Sequence, residues 1–329
     1  MKHTWWLAAL AVIGALAATN AYAQDRPDAE NFPSRAIRIV VPFPAGGPSD
    51  IVARLIGQKM SEDWGQPVLI ENRPGANTVL GAQAVAKAAP DGYTLLMAID
   101  STLTMNQYLY RNPPYDPFND FAPITLTAKT MSLLAVPAAT GPSSVKELIA
   151  RAKAAPGKLN YGGGTLTAQL MGHLFNKAAG IDIVYVPFKG TPETVNGLLT
   201  GSVDLIYAAS SIVMPLVQSG QIRLLAKLDS RSHPSLPDLP TLAVAAGLLG
   251  FDDLSIWLGL VAPKGTPKPV IEKLSRKVAQ ILADPAMREK SDRTGNYAVT
   301  SSPEEFEAFL RKESERWSKV LKELNIRYD

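Results

Sequence analysis

No cysteine occurs in the 329 residues, so no disulfide staples this chain and no thiolate can serve as nucleophile or metal ligand. Histidine is nearly as scarce, with three in all. His3 lies in an N-terminal apolar segment, which leaves His173 on an amphipathic helix beside Leu174 and His233 in a proline-rich stretch. Neither stands in H-E-x-x-H or in any spacing suited to zinc. The G-x-S-x-G elbow is missing, as are G-x-G-x-x-G and G-x-x-x-x-G-K-[ST]. Asp252-Asp253 is a carboxylate pair in a turn with no acid partner at a readable distance. The sequence thus offers no catalytic residue, no metal site and no cofactor motif. Net charge is only +3, and Lys and Arg are scattered through helices rather than clustered, which argues against nucleic acid as a partner.

Long apolar runs are also few. The single one, Trp5 to Ala18, follows the basic start Met1-Lys2-His3 and precedes Ala21-Tyr22-Ala23. A basic start, a short apolar core and a small-x-small ending describe a signal peptide (residues 1–23) cleaved after Ala23. An uncleaved anchor is the alternative, but the run is short for a span of about 20 residues. The mature chain would begin at Gln24 and be exported to the periplasm. Its roughly 300 residues can bury a sizeable core without staples, as two domains.

What is present is an alternation of strand and helix signals. Ile37–Val41 reads as a strand, Asp50–Asp63 as a helix, Pro67–Glu71 as a strand, Thr78–Ala88 as a helix capped by Asn77 or Thr78, and Tyr93–Ile99 as a third strand. This order implies a doubly wound, mostly parallel sheet. A second, similar unit begins at the capping box Ser144-Val145-Lys146-Glu147. It continues through strands at Leu159–Tyr161, Ile181–Val186, Val203–Ala209 and Ile222–Leu228, with Thr191 and Ser210 or Ser211 expected as helix caps. Two extended runs, Ile124–Val136 and Ser255–Ala262, read as crossovers between the units. Two amphipathic helices, from Pro267 and from Ser302-Pro303, then return the chain to the first unit.

Both units place a glycine-rich turn between their first strand and a helix. In the first, Gly46 and Gly47 leave backbone N–H groups approachable at a helix start, where unpaired donors and the dipole favour an anion. The second turn runs Gly162-Gly163-Gly164-Thr165-Leu166-Thr167. Facing one another, the two would make a closing site for a small carboxylate; alternatively they are two ordinary turns of unrelated lobes.

The combination resembles a known family. Its marks are Val41-Pro42-Phe43-Pro44-Ala45-Gly46-Gly47 with Asp50 and Ala53-Arg54, Glu71-Asn72-Arg73-Pro74-Gly75-Ala76, and Asp91-Gly92-Tyr93-Thr94-Leu95. Val186-Pro187-Phe188-Lys189-Gly190, Leu239-Pro240-Thr241 and Trp257-Leu258-Gly259 followed by Ala262-Pro263 complete them. Together they are similar to the Bug-type receptors, the extracytoplasmic solute-binding proteins of tripartite tricarboxylate transporters. The resemblance covers essentially the whole mature chain.

That resemblance implies an α/β fold of the two-lobed periplasmic-binding-protein (Venus-flytrap) kind. Each lobe would be a mixed, mostly parallel sheet flanked by helices, and two crossover strands would join them: 24–126 plus 259–329 as lobe 1, 127–258 as lobe 2. It implies a small organic acid as ligand, delivery to membrane permease subunits, no catalysis, and action as a monomer. Carried over by position, the first turn supplies Phe43, Pro44, Ala45, Gly46, Gly47, Ser49 and Asp50. The second supplies Gly163, Gly164, Thr165, Thr167, Ala168 and Gln169. Thr102, Phe188, Lys189, Tyr207 and Ser210 add lining. The family's second turn often carries a serine where Gly163 stands, and a Phe-Asp pair where this chain has Tyr207-Ala208. Loss of that carboxylate removes a partner for a ligand ammonium, which favours a dicarboxylate or an aromatic acid over an amino acid.

With Arg54 and Lys189 outside the turns, the carboxylates are expected on backbone N–H groups, on Ser49, Thr165 or Thr167, and on bridging water. Two carboxylates, one per lobe, would tie the cleft shut. Gly47 and Gly164 are expected to be dispensable for the fold but required for binding. A receptor that signals to a membrane sensor, or an exported α/β enzyme, are the competing readings.

Overall fold

Alternating signals close into two separate sheets. The structure, a computed structural model, describes residues 30–229, 236–248, 254–293, 296–324 and 326. The export signal with its cleavage point, His233 and the Asp252-Asp253 pair lie outside the described residues.

The first unit runs β1 (Ile37–Val41), α1 (Pro48–Trp64), β2 (Val68–Asn72), α2 (Val79–Ala86) and β3 (Thr94–Ile99). A π-helical turn, Ser101–Met105, then leads into the short α3 (Asn106–Leu109). After β4 (Phe121–Thr130) and β5 (Ser132–Pro137) come α4 (Val145–Ala154), β6 (Asn160–Gly163), α5 (Leu166–Ala179) and β7 (Val184–Pro187). Next are α6 (Thr191–Leu199), β8 (Leu205–Ala209), α7 (Ser210–Gln218), β9 (Ile222–Lys227) and α8 (Leu242–Ala246). The chain finishes with β10 (Ile256–Pro263), α9 (Lys268–Ala283), α10 (Pro285–Arg293), β11 (Asn296–Ala298) and α11 (Pro303–Leu324).

One sheet is six-stranded, β11-β4-β10-β3-β1-β2, and the other five-stranded, β7-β6-β8-β5-β9. β1 pairs in parallel with β2 and β3, and β6 with β7 and β8. The strands linking the sheets enter antiparallel, β10 against β3 and β4, and β5 against β8 and β9. Each sheet is therefore parallel only in its βαβ half, a smaller parallel share than the strand–helix alternation suggested.

The extended run Ile124–Val136 is two strands jointed at the buried Met131, β4 in the first sheet and β5 in the second. The chain is back in the first sheet from Ile256, with all eight residues of β10 buried. The boundaries expected at 126/127 and 258/259 thus fall inside β4 and β10, both of which belong wholly to the six-stranded sheet.

Of the C-terminal helices, α9 lies on the first sheet, its Val270, Leu274 and Val278 sharing a core with Ile39, Leu95 and Leu258. The last helix contributes to two cores. Its Phe306 and Leu310 share a core with Val40, Leu96 and Trp257, while Trp317 and Leu321 belong to the core that joins Met105 and Leu109 to Leu134, Phe175 and Tyr207 of the second lobe. A reciprocal capping box starts it: Glu305 N–H donates to Ser302 Oγ (3.0 Å) and Ser302 N–H to Glu305 Oε2 (2.8 Å).

Other caps hold in part, and Ser144 caps α4 as expected. At α4, Ser144 Oγ accepts from Glu147 N–H, but the Glu147 carboxylate reaches back to Ser143. Thr191 and Ser210 are the first residues of their helices, and the caps are Gly190 and Ala209 without a side-chain bond. The π-helical turn, α3, α8, α10 and β11 have no counterpart in the sequence reading. The π-helical turn is buried at every residue, so it shows no polar face to mark a period.

Candidate ligand-binding cleft

The first turn behaves differently from an empty anion cradle. Gly46 has φ +83°, which requires glycine, whereas Gly47 has an extended backbone (φ −80°, ψ 169°). Gly46 N–H donates to Asp50 Oδ2 at 2.9 Å. That carboxylate also takes Arg54 Nε at 2.9 Å and Asn72 Nδ2 at 3.0 Å. Burial works against the ionised form, but the bonds from Arg54, Gly46 and Asn72 prevail and hold Asp50 below the usual carboxylate range. Asp50 is therefore corrected from a ligand contact to the internal anion that closes the turn. Ala45 and Gly46 sit exposed at its tip. Phe43, Pro44, Gly47, Pro48 and Ser49 are what this turn presents to the cleft.

In the second turn the glycines serve packing. A Cβ on Gly163 would lie 2.9 Å from Ala168 Cβ, and one on Gly164 would lie 2.2 Å from the Gly190 carbonyl carbon. Thr165 caps α5, its Oγ accepting from Ala168 N–H at 3.1 Å. That leaves the Thr165 hydroxyl proton to give. Thr167 is fully buried and donates to Asp100 Oδ2 at 2.9 Å, so its hydroxyl joins the two lobes instead of meeting a ligand. Ala168 is likewise buried in the second-lobe core.

Two chambers open between the lobes. The inner one, about 30 Å³, lies between Phe43, Pro44, Gly47 and Ser49 of the first turn and Thr165, Gly190 and Thr191 of the second lobe. Ile99, Thr130, Ala209, Ile256 and Leu258 form its remaining wall. The outer one, about 400 Å³, is lined by Ala76, Asn77 and Tyr110 on one side and by Gly164, Thr165, Gln169, Tyr185, Pro187 and Phe188 on the other. Thr165 borders both. No acidic or basic side chain lines either chamber.

Four expected lining residues lie elsewhere. Tyr207 is buried in the second-lobe core, 5.8 Å from the Tyr161 ring between centroids, because β8 is covered on both faces. Its neighbour Ala209 reaches the inner chamber instead. Thr102 belongs to the π-helical turn and donates to Thr78 Oγ1 at 2.9 Å. Ser210 is fully buried at the start of α7. Lys189 is exposed, and its N–H donates to Glu193.

The sequence reading missed the lobe-1 wall of the outer chamber. Ala76, Asn77 and Thr78 are three consecutive non-glycine residues in the left-handed region (φ 45°, 54° and 76°). Each costs about 1 kcal/mol or more, so the surroundings must impose the turn. Asn106 Nδ2 does so from α3, donating to Asn77 O at 2.8 Å and to Thr78 Oγ1 at 3.2 Å. Tyr110 OH reaches Ala76 O at 3.4 Å, and Tyr115 OH holds Thr102 O at 2.7 Å. Thr78 thus spends its hydroxyl on this network and caps α2 through no side-chain bond.

The Asp100 carboxyl is buried against Thr167 of the other lobe. Burial pushes the Asp100 carboxyl up to about 7, against the pull of Ser101 N–H and the Thr167 hydroxyl; Glu313 adds to the rise and Arg316 opposes it. His173 stacks edge-on to Tyr161 (6.4 Å) and borders neither chamber.

Against this geometry, residues 52–326 match the family described as the tripartite tricarboxylate transporter family receptor, TctC. A protein of R. palustris solved with adipate is 34% identical with TM-score 0.86, the match covering 90% of this chain and 99% of that one. MatC from Rhodopseudomonas palustris, solved with bound malate, is 33% identical with TM-score 0.81, covering 88% and 100%. The periplasmic binding protein BugD is 32% identical with TM-score 0.84, covering 91% and 100%. This two-lobed α/β chain belongs to the Bug-type, tripartite tricarboxylate transporter receptor family.

Proposed function

We propose that this protein is a periplasmic receptor that captures a small organic carboxylate between its lobes and delivers it, without catalysis, to the membrane permease of a tripartite tricarboxylate-type transporter. It would be exported by cleavage after Ala23 and act as a monomer. The lobes would divide where the chain changes sheet, at Met131 and ahead of Ile256. The observation that supports this reading best is an inter-lobe cleft flanked by the starts of α1, α5 and α6 and free of charged side chains. First-turn amides have no intrahelical partner, and the Ser49 and Thr165 hydroxyls stand beside them. Such donors suit a carboxylate. The Asp50 and Asp100 carboxylates are held by partners inside the protein, and no acidic side chain lines either chamber to receive a ligand ammonium. The adipate and malate of the relatives fit the same chemistry.

The test is a thermal-shift and calorimetric screen of the mature protein against mono-, di- and tricarboxylates, aromatic acids and amino acids. Stabilisation by at least one carboxylate and by no amino acid is the expected result; amino acids binding to the exclusion of simple acids would overturn it.

A further inference from the structure

We propose that the two chambers are filled by one ligand, a monocarboxylic acid with a flat, uncharged aromatic body, its carboxylate in the inner chamber and its ring in the outer. This rests on the receptor reading above and names the ligand class for the same cleft.

Size divides the roles. On the measure by which one water needs about 10–15 Å³, the inner chamber, about 30 Å³, holds two or so water-sized groups, enough for a carboxylate but not for a ring. The outer chamber, about 400 Å³, falls in the range of pockets that enclose a whole small molecule. A ligand that reaches the donors of the inner chamber must therefore leave its body outside it. Thr165 stands on the boundary: its oxygen is occupied by Ala168 N–H, and its proton remains for a carboxylate passing from one chamber to the other.

The chemistry of the outer chamber selects the body. Tyr110 comes from the first lobe, Tyr185 and Phe188 from the second, so closure brings rings to both sides of whatever lies between. The Tyr110 hydroxyl is turned to Ala76 O and the Tyr185 hydroxyl to Gly163 O, so these residues offer chiefly ring carbon to the chamber. Aromatic faces favour a second ring in offset or edge-on contact. Lys189, the nearest basic residue of that turn, is exposed and not among the lining residues. A second carboxylate placed there would lose water without meeting a cation, which penalises a diacid relative to an aryl acid. The first-lobe wall is the turn at Ala76–Thr78, held in its left-handed form by Asn106. A surface maintained at that cost is suited to a fixed shape rather than a flexible chain.

The test is calorimetry on the mature protein with benzoate, cyclohexanecarboxylate and adipate, repeated on Tyr110→Ala and Phe188→Leu. Benzoate should bind at least tenfold more tightly than adipate, with cyclohexanecarboxylate between them. Each variant should weaken benzoate at least fivefold. Phe188→Leu guards against a folding artefact, because it keeps an apolar side chain against Gly162 and Gly197. Adipate binding as tightly as benzoate, or benzoate affinity unchanged in both variants, overturns this inference and leaves the receptor reading standing. If none of the three acids binds, this inference falls, and the wider carboxylate screen decides the receptor reading.

Discussion

Asp100, at the end of β3, accepts a 2.9 Å hydrogen bond from Thr167 in the first turn of α5, and both side chains are buried. A carboxyl of the first lobe is thus joined directly to the helix start that flanks the cleft from the second.

This pair makes stability depend on pH. The folded-state pKa of Asp100 is raised from the ordinary 3.8 to about 7. The native state therefore holds the proton more tightly than the unfolded state, and stability falls as pH rises through that window. Asp100→Asn keeps an acceptor for Ser101 N–H and removes the titration. Its stability relative to wild type should improve steadily between pH 4 and 7, measured by urea unfolding; a difference that does not vary with pH would refute this.

The two turn glycines should separate in their effects. A Cβ on Gly47 meets only Pro44 O, at 3.7 Å, and its backbone is not left-handed. Gly47→Val should therefore fold normally and, by entering the inner chamber, weaken carboxylate binding more than tenfold. Gly164→Ala instead drives a methyl into the Gly190 backbone and should cost about 1–3 kcal/mol of stability. The expectation that both substitutions spare the fold holds for Gly47 alone on this geometry. Melting curves beside titrations decide it.

Asp50→Ala should act on stability before affinity. It strands Gly46 N–H and takes one partner each from Arg54 and Asn72, which keep their bond to one another and that of Asn72 to Phe43 O, a loss of about 1–3 kcal/mol. Because the native carboxylate sits below its usual range, its contribution is present above the ordinary value of 3.8 and is lost as pH falls below it. Unchanged unfolding with lost binding would restore Asp50 as a ligand contact.

Ser49→Ala should do the reverse. Ser49 borders the inner chamber, and its hydroxyl makes no hydrogen bond with another described residue. Removing one charge-assisted bond of about 1.5–3 kcal/mol should cut affinity at least tenfold with little change in melting temperature. Affinity within twofold of wild type would place the carboxylate elsewhere.

The first turn was legible because its signals are local: a β-branched run, a proline at the helix start and a glycine at positive φ all sit within Ile37 to Pro48. The role of Asp50 was not, because Asn72 arrives from the next strand and only the fold brings them together. Tyr207 misled for a related reason. β8 is buried on both faces, so no alternation tells which residue looks into the cleft, and Ala209 does. The left-handed turn at Ala76–Thr78 carries no glycine to announce it; its conformation is imposed by Asn106, about thirty residues away. The backbone plan was thus readable from nearest neighbours, while the donors and walls of the cleft depended on distant partners.

The last helix, Pro303–Leu324, is seated in one core by Phe306 and Leu310 and in the other by Trp317 and Leu321. Midway along it, Ser314 Oγ takes hydrogen bonds from Gln107 and lies 2.7 Å from Tyr108 OH. A rod of about 33 Å fixed at both ends resists bending and stretching but permits torsion. It joins the two cores beside the crossovers, with Phe306 edge-on to Trp257 of β10. Any change in the angle between the lobes is therefore felt at the Trp317–Leu321 end, whose core holds Met105 and Leu109 of one lobe together with Phe175 of the other.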